Sequence, residues 1–117
     1  RELVLGAHRD PIFGPVILVG DGGRYVEAMP DVRLLLPPFT REDVRAALGT
    51  LRIAPLIDGV RGEPPLALDP YLDAAVALGR LMSEAGSRVD SVDVNPILVG
   101  SAPDDCVALD AVVIERA

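Results

Sequence analysis

The sequence contains no lysine, glutamine or tryptophan, and it has one cysteine, one histidine and one asparagine among its 117 residues. All eleven basic residues are arginines, so any chemistry that needs a lysine must come from another polypeptide segment. A single cysteine, Cys106, excludes an internal disulfide framework and does not support a zinc site. We interpret Cys106 as a small strand residue and expect a reduced, cytoplasmic location.

Long apolar runs and excess positive charge are also missing. No uninterrupted apolar run approaches the roughly 20 residues of a membrane helix, so we expect no membrane partner. The net charge is −7, which disfavours nucleic acid because that binding depends on Lys and Arg neutralising phosphates. The chain is 50% apolar, and its length suits a modest core. We therefore predict one domain over residues 1–117.

Short apolar runs separated by glycine and proline predict strands in the first third of the chain. Residues 16–19 form a buried strand in this interpretation, and the Gly-Asp-Gly-Gly at 20–23 predicts a hairpin turn before a return strand at 25–28. A further extended segment is predicted at 32–36. The backbone amides of Gly22 and Gly23 could approach phosphate groups. The same two glycines also fit a plain turn.

The rest of the chain predicts helices and then a hairpin. Thr40 is a favourable N-cap for a helix over 40–49, and Asp69 with Pro70 predicts the start of a longer helix that Gly86 closes. A short helix is predicted at 54–57. Two strands, 89–99 and 106–115, follow. The predicted fold class is α/β (an α+β sandwich), a mainly antiparallel sheet with two principal helices on one face.

The last predicted hairpin carries the most informative residues, in the segment SVDVNPILVG at 91–100. If its turn is centred between Ala102 and Pro103, Asn95 falls opposite Asp110. Asp93 then projects from the same face, because side chains alternate along a strand. Amide and carboxylate oxygens in a facing pair suit Mg²⁺. A solvated sheet face with two acids and one amide is the other interpretation.

Pro96 and Arg61 also carry structural or functional expectations. Pro96 has no amide hydrogen, so its strand should lie at an edge of the sheet or contain a bulge at that point. Arg61 lies between Gly59 and Gly62, and of all the arginines it is the one that the sequence places best to reach a ligand. It could contact phosphate or a partner domain and so contribute to catalysis, or it could be a solvated loop residue.

Several blocks together resemble a known family. The DVNPILV block at 93–99, followed by the aspartate of ALDA at 108–111, is similar to the metal-binding end of ATP-grasp domains, including succinyl-CoA synthetase β subunits. The segment ELVLGAHRDPIFGPVILVGDGGRYVE at 2–27 and the GVRGEPP block at 59–65 resemble the NDP-forming acyl-CoA synthetases, such as ADP-forming acetate–CoA ligase. The resemblance covers essentially the whole chain.

The resemblance implies a function and a set of ligands. The family interconverts acyl-CoA, ADP and phosphate with free acid, CoA and ATP, through an acyl phosphate and a phosphohistidine. It implies Asn95 and Asp110 as the Mg²⁺ ligands, with Asp93 as a neighbouring catalytic acid. ATP or ADP is the implied nucleotide, and CoA esters are the implied substrates. The phosphohistidine belongs to a CoA-binding domain or subunit elsewhere, and the full-length protein is expected to be an oligomer.

The resemblance also implies that part of the site lies elsewhere. An ATP-grasp site needs an N-terminal lobe with a phosphate-binding lysine, and these residues contain no lysine. The chain therefore resembles the C-terminal part of an ATP-grasp domain from a larger enzyme. An alternative is a regulatory or interaction module that keeps the fold without catalysis, for example within an acetyltransferase fusion. Retention of Asn95 and Asp110 favours the enzyme.

Overall fold

The strands form one antiparallel sheet in the computed structural model, which describes residues 1–23, 28–84 and 87–116. The bounds are β1 Glu2–Asp10, β2 Gly14–Asp21, β3 Val32–Leu35, β4 Val89–Leu98, β5 Val107–Ala108 and β6 Ala111–Glu115. The strand order is β3-β2-β1-β4-β5; β6 also pairs with β4, along residues 89–94, whereas β5 pairs with residues 97–98. The central strand β1 therefore lies between β2 and β4.

Three helices accompany the sheet: α1 Arg41–Leu48, α2 Ala54–Asp58 and α3 Asp69–Ser83. The core forms where one face of the sheet meets the apolar sides of these helices, and burial of this surface drives the packing. The mainly antiparallel α/β fold with two principal helices on one face is confirmed. Its largest fully buried side chains are Tyr71, Leu3, Ile17, Leu48, Leu72, Met82, Val19, Val44 and Val99.

The start of α1 agrees with the sequence prediction. The Thr40 hydroxyl accepts a hydrogen bond from the Asp43 N–H, and the Asp43 carboxylate accepts one from the Thr40 N–H. This reciprocal pair is a capping box, which satisfies two helix-end amides at once. Gly49 follows the last helical residue, as predicted.

The start of α3 differs by one residue from the prediction. Leu68 occupies the N-cap position and Asp69 is the first helical residue, without a side-chain cap. The Asp69 carboxylate instead accepts from the guanidinium groups of Arg41 at 2.7 Å and Arg45 at 3.3 Å. The Asp69 carboxylate is thus bound by arginines of α1 and does not cap its own helix. The predicted closing residue Gly86 lies outside the described residues.

The hairpin between β1 and β2 is closed by Asp10. Its carboxylate accepts hydrogen bonds from the N–H groups of Ile12 at 2.8 Å and Phe13 at 2.9 Å. The Phe13 and Ile12 bonds hold the pKa of Asp10 below its ordinary value, because they stabilise the ionised carboxylate. The predicted turn at 20–23 does not lead to a strand that can be assessed, because residues 24–27 lie outside the described part of the chain.

The single C-terminal strand predicted over 106–115 is interrupted in the structure. Instead of one strand over 106–115, β5 and β6 are separated by Leu109 and Asp110. Cys106 precedes β5, packs against the core, and has a thiol pKa raised by burial, which agrees with a packing role. Among the described residues, no helix has the length and apolar content needed to cross a membrane.

Candidate functional site

The pairing of β4 with β6 follows the predicted register. Asp93 faces Val112 and Val94 faces Ala111. One step further, the Asn95 N–H donates to the carbonyl oxygen of Asp110 at 3.1 Å. The predicted opposition of Asn95 and Asp110 is therefore present in the backbone, although Asp110 lies just before β6 and not within a strand.

Burial identifies the face of the sheet on which these side chains lie. Val92 and Ile97 are buried in the core, whereas Asp93, Asn95 and Asp110 are exposed. Strand alternation places Asp93 and Asn95 on the face opposite the helices, and Asp110 is in register with Asn95 through its backbone carbonyl. In the described part of the chain, no arginine forms an ion pair with Asp93 or Asp110. We call this group, Asp93, Asn95 and Asp110, the acidic face.

A bulge explains how a central strand tolerates a proline. Leu3 faces Ile97 and Leu5 faces Val94, so Val4 alone faces both Asn95 and Pro96. The extra residue lets Val94 and Ile97 both point into the core while Asn95 points outward. Pro96 contributes no N–H, but its carbonyl accepts from the Leu109 N–H at 3.0 Å. Of the two predicted alternatives, an edge position or a bulge, the structure shows the bulge, and the Asn95–Pro96 peptide bond is cis.

Space beside Asp93 is open on the acidic face. Gly6 of β1 faces Asp93 and has no side chain to cover it. A Cβ added at Gly6 would make only ordinary van der Waals contacts, at 3.4 Å from the Val92 carbonyl oxygen and 3.9 Å from Leu18 Cβ. The Asp93 carboxylate is thus accessible to a ligand that approaches over β1.

The glycine turn lies at the same end of the sheet as Asn95. Gly20 faces Val4, which in turn faces the bulge. The Gly22 N–H donates to the Glu2 carbonyl at 3.1 Å, and the Gly23 N–H donates to Asp21 Oδ1 at 2.9 Å. Both amides already have partners within the chain, so phosphate binding there would require each amide to exchange its partner.

Packing also accounts for the glycine at position 22. A Cβ at Gly22 would lie 2.7 Å from the backbone of Leu3, closer than real Cβ atoms come. A glycine is therefore needed for β1 and the turn to approach each other. The role of Gly22 and Gly23 in nucleotide binding stays a prediction.

Arg61 occupies a tightly turned loop between α2 and α3. Its φ is 54°, a left-handed conformation that non-glycine residues rarely adopt, and Gly59 and Gly62 beside it have φ values of 92° and 77°. The loop returns to the sheet through the Ala67 N–H, which donates to the Gly100 carbonyl at 2.8 Å. The Arg61 side chain is exposed, and within the described residues no ion pair holds it.

The acidic face fits Mg²⁺ by the chemistry of its donors. Asn95 offers a neutral amide oxygen and Asp110 a carboxylate, and Mg²⁺ is commonly held by one or two carboxylates with water and phosphate completing the shell. Within the described residues, no group of three or more His, Cys, Asp or Glu side chains is placed to hold a metal ion. The role of Asn95 and Asp110 as metal ligands stays a prediction.

Sequence reasoning missed two polar residues that organise this end of the sheet. Tyr71 is fully buried in α3, and its hydroxyl donates to the Val4 carbonyl at 2.6 Å. The buried Asp31 carboxylate accepts from the N–H groups of Arg52 and Ile53, both at 3.0 Å. Neither has a local sequence signature, apart from Tyr71 being a tyrosine within an apolar helix stripe.

Comparison with known proteins places the chain in a family. The family model of an ATP-grasp domain matches residues 1–114. The chain belongs to the ATP-grasp family. This match includes every residue of the acidic face, and it confirms the resemblance predicted from the sequence.

Relatives of this ATP-grasp chain include several CoA ligases. The β subunit of acetate–CoA ligase [ADP-forming] I from Pyrococcus furiosus is 35% identical over 111 residues, which are 95% of this chain and 47% of that protein. The 4-hydroxybutyrate–CoA ligase [ADP-forming] of Nitrosopumilus maritimus is 34% identical over 110 residues, 94% of this chain and 16% of that protein. The chain spans about half the length of the β subunit.

A solved structure shows the same fold at similar identity. It is a dinucleotide-forming acetyl-coenzyme A synthetase 1 of Ca. Korarchaeum cryptofilum, in complex with coenzyme A and Mg-AMPPCP. The TM-score is 0.87 at 30% identity, with 98% of this chain and 53% of that chain covered. In that protein, the phosphohistidine segment points towards the nucleotide-binding site.

Proposed function

We propose that this chain is the C-terminal, Mg-nucleotide-binding part of an ATP-grasp domain in an NDP-forming acyl-CoA synthetase. The observation that carries the proposal is the pairing of Asn95 with Asp110 on an exposed face of the sheet. The family match over residues 1–114 and the CoA-ligase relatives support the same conclusion. The complete cytoplasmic enzyme interconverts acyl-CoA, ADP and phosphate with free acid, CoA and ATP.

The roles of the acidic face follow from its chemistry. Asn95 and Asp110 would hold Mg²⁺, which, when bound, neutralises charge on the nucleotide phosphates. The neutral amide of Asn95 adds a ligand without adding to the repulsion between carboxylates. Asp93, uncovered by Gly6, stands beside this pair as an acid facing the bound phosphates. On another domain or subunit, phosphate would displace CoA from the acyl-CoA to give acyl phosphate, which would transfer its phosphoryl group to a histidine and release the free acid. The phosphohistidine would then transfer the phosphoryl group to ADP at the ATP-grasp site.

A regulatory module without catalysis is the weaker alternative. Such a module would have no need to keep an amide and a carboxylate opposite each other on an exposed face. Both side chains are outside the core, so folding does not require them. Their presence together favours the enzyme.

The first test compares the complete protein with this chain alone. The complete protein should form ATP from ADP, phosphate and an acyl-CoA, measured by coupled ATP detection over a panel of acyl-CoA esters. Residues 1–117 alone should show no ATP hydrolysis and no acyl-CoA formation, because the chain contains no lysine for the phosphates. Turnover by residues 1–117 above that of an Asn95→Ala control would show that the missing lobe is not needed.

A second test concerns Arg61. If its exposed guanidinium reaches phosphate or the partner domain, Arg61→Ala in the complete enzyme should lower turnover by about 10-fold or more, since charged hydrogen bonds to phosphate contribute on the order of 1.5–3 kcal/mol. The melting temperature should be unchanged, because the substitution leaves a non-glycine residue at φ 54°. Arg88→Ala, another exposed arginine, is the matched control. Equal kinetics in the two variants would show that Arg61 is a solvated loop residue without a role in turnover.

A further inference from the structure

The Tyr71 hydroxyl links the helix layer to the centre of the sheet. Tyr71 lies in the first turn of α3 and is 0% exposed. Its hydroxyl donates to the Val4 carbonyl at 2.6 Å and accepts from the Gly20 N–H at 3.4 Å. Val4 and Gly20 face each other in the pairing of β1 with β2. One side chain therefore contacts both strands at the same rung.

Val4 connects this rung to both parts of the proposed site. On one side it faces Gly20, the residue that begins the glycine turn. On the other side it faces the bulge formed by Asn95 and Pro96. Any shift of Val4 along or across β1 would thus move Asn95 relative to the turn.

Gly20 is packed closely against the start of β3. A Cβ there would collide with the Asp31 carbonyl oxygen and would lie 2.7 Å from Val32 Cα. The next residue is also held, because the Asp21 N–H donates to the Asp31 carbonyl at 2.9 Å. The position of the turn therefore depends on contacts with β3 on one side and with Tyr71 and β1 on the other.

We propose that Tyr71 is a positioning residue, whose hydroxyl sets Val4 and thereby places Asn95 and the glycine turn for binding of the magnesium–nucleotide. The inference rests on the proposed function of the acidic face. Tyr71 itself contacts neither metal nor nucleotide, since it lies on the helix side of the sheet.

The chemistry of position 71 supports a role for the hydroxyl beyond packing. The neighbours of Tyr71 along the buried stripe of α3 are Ala75, Leu78 and Met82, so phenylalanine would suit the same environment. A buried hydroxyl costs free energy unless it is hydrogen-bonded, and here it has two partners. Burial raises the pKa of Tyr71, so the hydroxyl keeps its proton and remains a donor to Val4 at physiological pH.

Tyr71→Phe in the complete enzyme tests this role, with Val44→Ala as a control for general destabilisation. Val44 is buried in α1, and its side chain has no polar atom. The first measurement is hydrogen–deuterium exchange of the metal-free protein. Tyr71→Phe should speed exchange in peptides that contain Gly20 and Asn95, whereas Val44→Ala should affect mainly α1.

The second measurement is binding of Mn²⁺ in the presence of ADP, followed by electron paramagnetic resonance. Tyr71→Phe should weaken Mn²⁺ binding by about 10-fold, the lower range for losing a group that supports a metal ligand. Val44→Ala should bind as the unmodified enzyme does, when both are assayed well below their melting temperatures. In steady state, the activation constant for Mg²⁺ should rise in Tyr71→Phe more than kcat falls.

Asn95→Ala separates failure of this inference from failure of the proposed function. If Asn95→Ala loses Mn²⁺ binding while Tyr71→Phe matches Val44→Ala in both measurements, the acidic face is the metal site and the positioning role of Tyr71 is wrong. If Asn95→Ala binds Mn²⁺ as tightly as the unmodified enzyme, the metal assignment is wrong and the role of Tyr71 fails with it.

Discussion

Asn95→Ala and Asp110→Asn should each lower kcat/KM for magnesium–ADP in the complete enzyme by at least about 100-fold. Loss of an outer partner of a metal ligand already costs roughly 10–100-fold, and these side chains are proposed as ligands themselves. Folding should change little, because both side chains are exposed and surface substitutions usually alter stability by within about 0.5 kcal/mol. The measurements are steady-state kinetics over a range of free Mg²⁺ and thermal unfolding.

Asp104→Asn provides the matched control for Asp110→Asn. Asp104 is exposed in the turn before β5 and undergoes the same loss of one charge. A general effect of net charge would appear in both variants, whereas a ligand effect should appear only at Asp110. The ligand assignment is wrong if the two variants show the same dependence on Mg²⁺.

Asp31→Ala should be among the most destabilising single substitutions outside the apolar core. The carboxylate is 5% exposed and accepts from the N–H groups of Arg52 and Ile53 at the start of α2. Removing it leaves two part-buried donors without this partner, and an unpaired donor costs about 1–3 kcal/mol when it is fully buried. We expect a loss of about 2–4 kcal/mol, measured by urea unfolding of the same chain with and without the substitution.

Two further variants identify which contact of Asp31 matters. Arg52 Nε lies 3.9 Å from the carboxylate, and Arg52 also donates to the Pro30 carbonyl at 2.7 Å. If the backbone amides are the important partners, Arg52→Ala should cost less than Asp31→Ala. Asp90→Ala, at an exposed position, should leave stability nearly unchanged. A greater loss in Arg52→Ala than in Asp31→Ala would show that the ion pair dominates.

These two predictions concern opposite kinds of polar residue. Asn95 and Asp110 are exposed, so we expect folding not to require them and their side chains to be accessible to a ligand. Asp31 is buried and its carboxylate is used by the chain itself, which makes it a structural residue at the same end of the sheet. The distinction follows from burial and hydrogen-bond partners, and residue type alone does not provide it.

Local signals in the sequence were sufficient to predict the start of α1 and the register of one hairpin. The reciprocal bonds of Thr40 and Asp43 form within three residues, so a short motif predicts them. The register of β4 against β6 follows from the turn between them, and counting outward from that turn is enough to place Asn95 opposite Asp110. Pro96 likewise predicted either an edge strand or a bulge, because a proline cannot donate to a strand ladder, and the structure shows the bulge.

Only the tertiary structure decided how distant segments meet. It placed β1 between β2 and β4, so that Val4 lies between Gly20 and Asn95. In the folded chain, Asp69 binds arginines of α1 instead of capping α3. The Tyr71 hydroxyl donates a hydrogen bond to the Val4 carbonyl, 67 residues away in the sequence. The sequence by itself determined the contacts that close within a turn or a hairpin. Contacts between distant segments depend on the packing of the whole sheet against its helices, which no short pattern encodes.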